Sequence, residues 1–320
     1  MRATGVGSMP GENYAESVRA VLGTLDDLAF VPELPARGVA AQMIGRSLAF
    51  LEGLGADLQP GGWRLLDASG VDHRRARSLL AQDLDVVEEL AQGRKGAVKQ
   101  QVAGPWTLAA TVELQRGEKV LSDHGARRDL AHALASGLTE HVASLRRRFP
   151  GAELVLQVDE PMLPAVLAAQ VPTSSGFGRY RTIQPPEADE LLRVVVDAVR
   201  AAGASPVVHS CAADLPVALL RGAGFDAISF DLSLSSSSGG DAWAETFEAG
   251  TDLWPGVLPS TDAALDLAAA RSTLEAWFDR LGFAEDAWHD RVVVTPSCGL
   301  AGATPVHARQ VLAELAALAD

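Results

Sequence analysis

Only two cysteines occur in the 320 residues, and both stand at the ends of apolar stretches. Cys211 follows His209 by two residues in VVHSC, and Cys298 lies in TPSCGL near the C-terminus. Residues two apart on an extended segment point to the same side, so the imidazole of His209 and the thiol of Cys211 can address one point. Imidazole and thiolate are preferred zinc ligands. The spacing predicts a metal site, with small buried hydrophobic cysteines as the alternative.

The composition narrows the classes of partner and the cellular location. The chain has 41 acidic and 27 basic residues and a net charge of −14, which argues against nucleic acid, since phosphate binding needs clustered positive charge. No apolar run is long enough for a membrane span, and the N-terminus MRATGVGSMPG lacks the apolar stretch of a signal peptide. We therefore expect a cytoplasmic protein, in which cysteines near histidine favour metal binding or catalysis over a disulfide.

Eight short apolar runs alternate with Ala- and Leu-rich segments of helical periodicity. The runs cover residues 3–8, 28–33, 97–104, 153–160, 206–211, 226–233, 252–258 and 291–298. This alternation predicts a single (β/α)8 barrel over residues 1–320, with a doubly wound open sheet as the alternative. No Gly-rich dinucleotide turn supports the open sheet. The Ser/Gly-rich stretch 232–240 is predicted to be a mobile loop within the barrel.

Polar residues recur where the predicted strands end. In a barrel, all carboxyl ends of the strands meet on one face, where active sites are built. Residues that are distant in the sequence would become neighbours there. They are Ser8, Glu33, Asp159, Glu160, His209, Cys211, Asp231 and Cys298.

A carboxylate at Asp231 would complete a set of four zinc ligands with His209, Cys211 and Cys298. An Asp at a strand end is also a common helix cap, so both roles stay open. Zinc with two thiolates and a carboxylate carries a net negative charge and activates water poorly. An incoming thiol can still bind by losing its proton, and its sulfur remains nucleophilic. The ligand set therefore favours transfer of a group to a substrate thiol.

Seven motifs occur in an order that resembles the catalytic domain of cobalamin-independent methionine synthase, and the resemblance covers nearly the whole chain. The motifs are TGVGSMP, VPELP, VAGPWTLA, LQVDEPML, VVHSC, DAISFD and TPSCGL. The most specific are QVDEP, the His-x-Cys pair and the late Cys-Gly-Leu. The resemblance implies a (β/α)8 barrel whose zinc activates homocysteine for methylation to methionine.

The resemblance also implies roles for the residues of the metal site. The histidine and the cysteines that bind zinc in the family fall on His209, Cys211 and Cys298. The fourth ligand of the family is a glutamate, and the matching position is Asp231, which is one methylene shorter. The backbone would have to approach the metal there, or a water or substrate would have to fill the position.

The family's homocysteine contacts match four further residues. Gly7 and Ser8 match a turn that holds the amino-acid carboxylate, and Glu33 and Asp159 match the acids that hold the ammonium. This division is physically reasonable, because a zwitterion needs N–H donors at one end and carboxylates at the other. Helix capping or a buried ion pair is the alternative for the two acids, and turn formation is the alternative for Ser8.

Three departures from the family concern the methyl donor. The complete enzymes carry a second, N-terminal barrel that helps to hold the folate. The folate-stacking tryptophan of the family corresponds to Thr111, and Trp106 is nearby but out of register. The histidine presumed to donate a proton is also missing, and Thr261 or Asp262 occupies its stretch. We take Asp262 as the candidate catalytic residue.

The leading hypothesis is a zinc-dependent methyltransferase that makes methionine from homocysteine, with a methylated folate or a methyl-corrinoid protein as donor. Methylcobamide-dependent thiol methyltransferases with another acceptor are an alternative, against which Glu33 and Asp159 argue. A uroporphyrinogen decarboxylase-type reaction would need cationic groups around the substrate. A zinc hydrolase would be expected to have paired His-x-His ligands. A non-catalytic zinc-binding protein or metallochaperone is the remaining alternative.

Overall fold

The structure is a computed structural model that describes residues 1–235 and 239–319. The strands are β1 Arg2–Ala3, β2 Leu28–Phe30, β3 Gly55–Gln59, β4 Gly62–Leu66, β5 Ala97–Ala103, β6 Leu154–Asp159, β7 Ser205–Ser210, β8 Ala227–Asp231, β9 Asp252–Leu258 and β10 Val293–Pro296. The α-helices are α1 Tyr14–Thr24, α2 Met43–Leu48, α3 Val71–Leu90, α4 Pro105–Thr111, α5 His124–Arg148, α6 Leu163–Leu167, α7 Pro185–Ala202, α8 Val217–Ala223, α9 Gly240–Glu248, α10 Leu267–Leu281, α11 Glu285–Trp288 and α12 Pro305–Ala319.

Eight of these strands form one parallel sheet in the order β1-β10-β9-β8-β7-β6-β5-β2. The two edge strands are joined just beyond their carboxyl ends, where Ser8 and Glu33 form a parallel bridge. The Met9 N–H donates to the Glu33 carbonyl at 2.8 Å, and the Glu33 N–H donates to the Gly7 carbonyl at 3.0 Å. The sheet is therefore a nearly closed barrel. This confirms the predicted (β/α)8 fold and excludes the open doubly wound sheet.

The helices that follow the barrel strands form an outer layer, because each carries one apolar face. On α7, for example, Leu191, Leu192, Val195 and Val199 are buried at spacings of three and four residues. Each strand-to-helix connection lies at the carboxyl ends of the strands, as in other barrels. The residues that follow the strands therefore share one face of the molecule.

The barrel interior changes from apolar to polar along the strands. Seven strands each contribute one side chain to an apolar layer at the amino ends, namely Leu28, Ala97, Val155, Val207, Ala227, Trp254 and Val293. Side chains alternate between the two faces of a strand, so the next inward positions lie two residues further on. Five strands place a buried polar residue there, and these are Lys99, Gln157, His209, Ser229 and Thr295. Barrels usually fill such layers with branched apolar residues. The polar character here indicates that the site extends down into the barrel.

The sequence did not predict the antiparallel hairpin formed by β3 and β4. It is inserted between β2 and α3, and it contacts the segment after α4, where the Leu65 N–H donates to the Glu113 carbonyl at 2.7 Å. The predicted loop 232–240 begins with a 3-10 turn at Leu232–Leu234 and ends where α9 begins. Residues 236–238 of that loop lie outside the described residues. Among residues 1–235 and 239–319, no helix has both the length and the apolar composition that a bilayer crossing needs.

Candidate metal and substrate site

His209 is the most deeply buried of the predicted metal ligands. It lies on β7 and is 4% exposed. Its Nδ1 is 2.9 Å from Ser229 Oγ, while its Nε2 is buried and has no hydrogen-bond partner among the described residues. Donation from Nδ1 to Ser229 would leave the lone pair on Nε2, which is the form of histidine that binds a metal. A buried nitrogen without a partner costs free energy, so Nε2 marks a point where a ligand belongs.

Cys211 and Cys298 lie next to each other and close to His209, just beyond the carboxyl ends of β7 and β10. Their Sγ atoms lie 2.7 Å apart, which is longer than the ~2.05 Å of a disulfide, and both cysteines are free. The hydrogen bond from Cys211, helped by His209, lowers the pKa of the Cys298 thiol to about 4, although burial opposes this. The same bond raises the pKa of the Cys211 thiol. The pair therefore favours one thiolate at neutral pH.

The three donor atoms of His209, Cys211 and Cys298 lie within 4.8 Å of one another. An unpartnered imidazole nitrogen and two thiol sulfurs are a donor set that suits zinc. Both cysteines are only half-buried, so the cluster is open toward the barrel mouth. Three protein ligands with an open position are typical of zinc sites that bind a substrate. These residues fit the metal that the sequence predicts.

Asp231 is not part of this cluster among the described residues. It ends β8 and falls on the same face of the strand as Ser229, but its Oδ1 accepts from the Ser233 N–H at 2.9 Å and from the Ser233 hydroxyl at 2.7 Å. These bonds cap the 3-10 turn at Leu232–Leu234. The capping role left open by the sequence is therefore present, and a ligand role for Asp231 stays a prediction.

Gly7 and Ser8 follow β1 at the barrel mouth, next to the segment that carries Cys298. A Cβ at Gly7 would lie 2.7 Å from the side chain of Gln101, so only glycine fits this close approach. The Ser8 hydroxyl packs against Gly299, where an added Cβ would be 2.1 Å away, and the Leu300 N–H donates to the Ser8 carbonyl at 2.8 Å. Backbone bridging thus holds the half-buried Ser8 beside the segment that carries Cys298.

Glu33 and Asp159 form a buried acidic pair, 6% and 7% exposed. Burial raises the pKa of Glu33, against the positive charges of Arg46 and Lys99. Burial and the charge of Glu33 raise the pKa of Asp159 well above its usual range. Arg46 Nε is 3.7 Å from Glu33 Oε1, and Gln157 Nε2 donates to Asp159 Oδ1 at 2.7 Å. Two buried carboxylates that are so incompletely neutralised are suited to receive a cationic group.

Glu160 differs from its neighbour Asp159, because its hydrogen bonds are within the fold. Its carboxylate accepts from the Trp106 N–H at 2.9 Å, from the Thr107 N–H at 2.8 Å and from the Thr107 hydroxyl at 2.7 Å. Burial raises the pKa of this carboxyl to about 7, and these hydrogen bonds oppose the shift. Glu160 therefore fixes the start of α4.

The residues predicted on the methyl-donor side do not form a comparable cluster. Trp106 is fully buried and donates from Nε1 to the Ala188 carbonyl at 3.1 Å, so it offers no stacking face. Thr111 ends α4, with its hydroxyl donating to the Thr107 carbonyl at 2.7 Å. Thr261 is exposed. The exposed Asp262 accepts from the Thr304 hydroxyl at 2.7 Å and from the Thr304 N–H at 3.0 Å. These bonds lower the pKa of Asp262, which disfavours it as a proton donor, and its catalytic role stays a prediction.

The sequence did not predict the buried residues that contact the site residues from inside the barrel or from its wall. Ser229 contacts His209, Arg46 contacts Glu33, and Lys99 and Gln157 lie beneath Asp159. A signal for Lys99 was available, because a lysine inside the otherwise neutral strand AVKQQVA must be buried and paired. No periodicity indicated Ser229 or Arg46.

The fold and this centre define a (β/α)8-barrel protein with an imidazole–dithiol cluster beside a buried acidic pair. The sequence profile of the family described as "Cobalamin-independent synthase, Catalytic domain" matches residues 77–320, well over half of the chain. The chain belongs to this family. The predicted relationship is confirmed, and with it the assignment to methyltransferases of methionine biosynthesis. Asp159 and the metal cluster lie within the matched part, whereas Gly7, Ser8 and Glu33 precede it.

One solved structure supports the fold, and a second is similar at a lower TM-score. A B12-independent methionine synthase from Shewanella sp. W3-18-1, in complex with selenomethionine, is similar with a TM-score of 0.64 and 15% identity over 99% of this chain and 96% of that one. D-psicose 3-epimerase from Clostridium cellulolyticum H10 has a TM-score of 0.48 and 10% identity, over 100% of this chain and 96% of that one. A search of curated proteins found no match.

Proposed function

We propose that this protein is a zinc-dependent methyltransferase that methylates the thiol of homocysteine to form methionine, and that residues 1–320 work as one barrel. One observation carries the proposal. The donor atoms of His209, Cys211 and Cys298 converge at a barrel mouth that also holds the buried acids Glu33 and Asp159. A soft-donor metal site beside an anionic pocket matches a substrate with a thiol at one end and an ammonium at the other.

The residues of the chain would orient the amino acid. Glu33 and Asp159 would accept hydrogen bonds from its ammonium, and the turn at Gly7 and Ser8 would receive its carboxylate. When bound to His209, Cys211 and Cys298, zinc supplies a lowered pKa for the substrate thiol. The chain would thereby hold the thiol end of the substrate at the half-buried, open side of the cluster. The selenomethionine named for the Shewanella protein is an analogue of the product of this reaction, which supports an amino-acid site.

The methyl donor is the finer part of the proposal. Membership of the cobalamin-independent family favours a methylated folate. One feature of the surface favours a donor carried by another protein, for example a methyl-corrinoid protein. Among the described residues, all six exposed large apolar side chains lie in the segments that lead from the carboxyl end of a barrel strand to the next long helix, or in the first two residues of that helix; Leu58 is on the inserted strand β3, and Phe177 lies between α6 and α7. The six are Val39, Leu58, Val71, Phe177, Leu234 and Val306. Exposed apolar residues that concentrate on the face of the site are typical of a docking surface.

A methyl-donor screen tests the proposal. Zinc-loaded protein would be mixed with homocysteine and either methyltetrahydrofolate or methylcobalamin, and methionine would be measured by mass spectrometry. We expect methionine with at least one donor, and none from the Cys298→Ser variant. Calorimetry of homocysteine binding in two buffers of different ionisation heat should show release of about one proton.

Two results would contradict the proposal in different ways. Binding of homocysteine without methionine from either donor would leave an amino-acid-binding zinc protein without this activity. Absence of homocysteine binding to zinc-loaded protein would remove the substrate assignment and favour a metallochaperone or another acceptor thiol. The acidic mouth disfavours the decarboxylase alternative, because Glu33 and Asp159 would repel a polycarboxylate substrate.

A further inference from the structure

Lys99 lies inside the barrel below the acidic pair, and the metal and thiol chemistry does not use it. It is on β5 with no exposed surface, one inward position above the apolar layer to which Ala97 belongs. A fully buried lysine is rare, because burying a charge is costly unless the charge is paired and hydrogen-bonded. Its contacts therefore indicate why it is there.

All hydrogen-bond contacts of the Lys99 amine among the described residues are with acceptors, and the amine also lies over the Phe30 ring at 5.7 Å from its centroid. Nζ is 2.8 Å from the Val6 carbonyl oxygen, 2.7 Å from Gln157 Oε1 and 3.5 Å from Gln101 Oε1. An ammonium has three N–H donors and no lone pair, so this geometry is that of the charged form. Burial lowers the pKa of Lys99 to about 7, and the negative charges of Asp159 and Glu33 oppose this shift.

The contact with Lys99 fixes the direction of the next hydrogen bond. Because the ammonium can only donate, the amide oxygen of Gln157 must face it, and the amide nitrogen must face the other way. That nitrogen, Nε2, donates to Asp159 Oδ1 at 2.7 Å. The acceptor is then a carboxylate oxygen. The chain from Lys99 through Gln157 thus orients Asp159 by one oxygen and leaves Oδ2 for another partner.

The Lys99 ammonium and Gln157 also bind the backbone next to the Gly7–Ser8 turn. The Val6 carbonyl accepts from both Lys99 Nζ and Gln157 Nε2, the latter at 2.9 Å. Val6 directly precedes Gly7 and Ser8. A single buried ammonium therefore joins the turn proposed for the substrate carboxylate to the acid proposed for the substrate ammonium.

We infer that Lys99 is a positioning residue for the amino-acid end of the substrate: acting through Gln157 and the Val6 carbonyl, it sets the distance and orientation between the Ser8 turn and Asp159. The inference rests on the proposed function, because it concerns the same substrate site. It adds a specificity role. Lys99 would serve substrates with both an ammonium and a carboxylate, and would not affect simple thiols.

The test compares two thiols on three variants of zinc-loaded protein. Lys99→Met removes the ammonium, and Gln157→Glu keeps the size and the acceptor for Lys99 but removes the donor to Asp159. Gln100→Leu is the matched control, because Gln100 is equally buried on β5 but contacts only the Gln101 carbonyl. Affinities for homocysteine and for ethanethiol would be measured by calorimetry, together with zinc content and melting temperature.

Homocysteine affinity should fall about 10- to 100-fold in Lys99→Met and in Gln157→Glu, because the substrate ammonium loses an oriented partner. Ethanethiol affinity and zinc content should stay within about twofold in both variants, and Gln100→Leu should keep both affinities. If Lys99→Met does not fold, the homocysteine affinity of the isosteric Gln157→Glu variant tests the positioning role.

Three outcomes would overturn the inference. Retained homocysteine affinity in the variants would refute a positioning role while leaving the proposed function intact. An equal loss for both thiols would show that Lys99 supports the barrel as a whole. Failure of the wild-type protein to bind homocysteine, with ethanethiol still bound, would remove both the proposed substrate and the role of Lys99.

Discussion

The two sides of the barrel mouth differ in how their polar groups are satisfied. On the side of His209, Cys211 and Asp159, polar side chains are buried or half-buried; His209 Nε2 has no hydrogen-bond partner among the described residues, and burial beside Glu33 raises the pKa of Asp159. On the side of Asp262, polar side chains are exposed, and their hydrogen bonds are with neighbouring turns. The first arrangement costs stability unless a ligand completes it, whereas the second is complete in itself. The first region is a preformed site, which we propose binds the acceptor thiol, whereas the described residues show no equivalent site for the proposed methyl donor.

The adjacent residues Asp159 and Glu160 show the same contrast within one motif. Both are buried acids in QVDEP, and their local pattern does not distinguish them; only the family resemblance singled out Asp159. Glu160 accepts three hydrogen bonds from the start of α4, whereas Asp159 accepts one from Gln157 and lies next to a second acid. Glu160, whose carboxylate accepts three hydrogen bonds within the protein, therefore stabilises the fold. Asp159, whose charge is incompletely neutralised, is the acid that we propose for substrate binding.

The largest expected effect is the loss of a metal ligand. Cys211→Ser or Cys298→Ser should each lose most of the bound zinc and reduce methyl transfer by more than about a hundredfold, since even residues that only support ligands are worth 10- to 100-fold. Metal content by mass spectrometry and methionine formation would be compared with wild-type protein before and after chelation. Full zinc occupancy in both variants would refute the assigned cluster.

A smaller and more selective effect is expected for the two adjacent acids. Asp159→Asn should weaken homocysteine binding by about 1–3 kcal/mol, because a substrate ammonium loses a charged partner, while zinc content stays unchanged. Glu160→Gln should instead destabilise the protein by about 1–3 kcal/mol, because two backbone N–H groups and a hydroxyl lose carboxylate acceptors. Calorimetry with homocysteine and with an alkyl thiol, and chemical denaturation, would separate the two. Weaker homocysteine binding in Glu160→Gln and lower stability in Asp159→Asn would contradict the roles assigned to these residues.

The smallest effect is expected for Asp231. Because its Oδ1 caps a turn and it is not among the three converging donors, Asp231→Asn should change zinc affinity by no more than about twofold. Zinc affinity would be measured by competition with a chelator, with Ser233→Ala as a control for the cap. A large loss of zinc in Asp231→Asn, but not in Ser233→Ala, would establish Asp231 as a fourth ligand.

The sequence by itself determined the barrel and the main elements of the acceptor site. Eight apolar runs bounded by turns predicted all eight barrel strands, because continuous apolar runs and the helical periodicity between them are local properties. The position of His209, Cys211 and Cys298 at strand ends then predicted their meeting, because the barrel brings all carboxyl ends to one face. The β3–β4 hairpin was missed, since its strands are only partly buried and contain no continuous apolar run.

Only the tertiary structure decided which polar residues are free to act. Asp159 and Glu160 have the same side-chain chemistry and adjacent positions. Asp231 ends one strand and Asp262 follows another, so no local pattern separates a ligand from a cap. The distinction depends on which donors from other strands and loops reach each carboxylate, such as Gln157, Thr107, Ser233 and Thr304. The hydrogen bonds of Lys99 are also visible only in the tertiary structure, because its partners Val6 and Gln157 are separated from it by 93 and 58 residues. Hydrogen bonds of this range are set by the closure of the barrel, which no short stretch of sequence encodes.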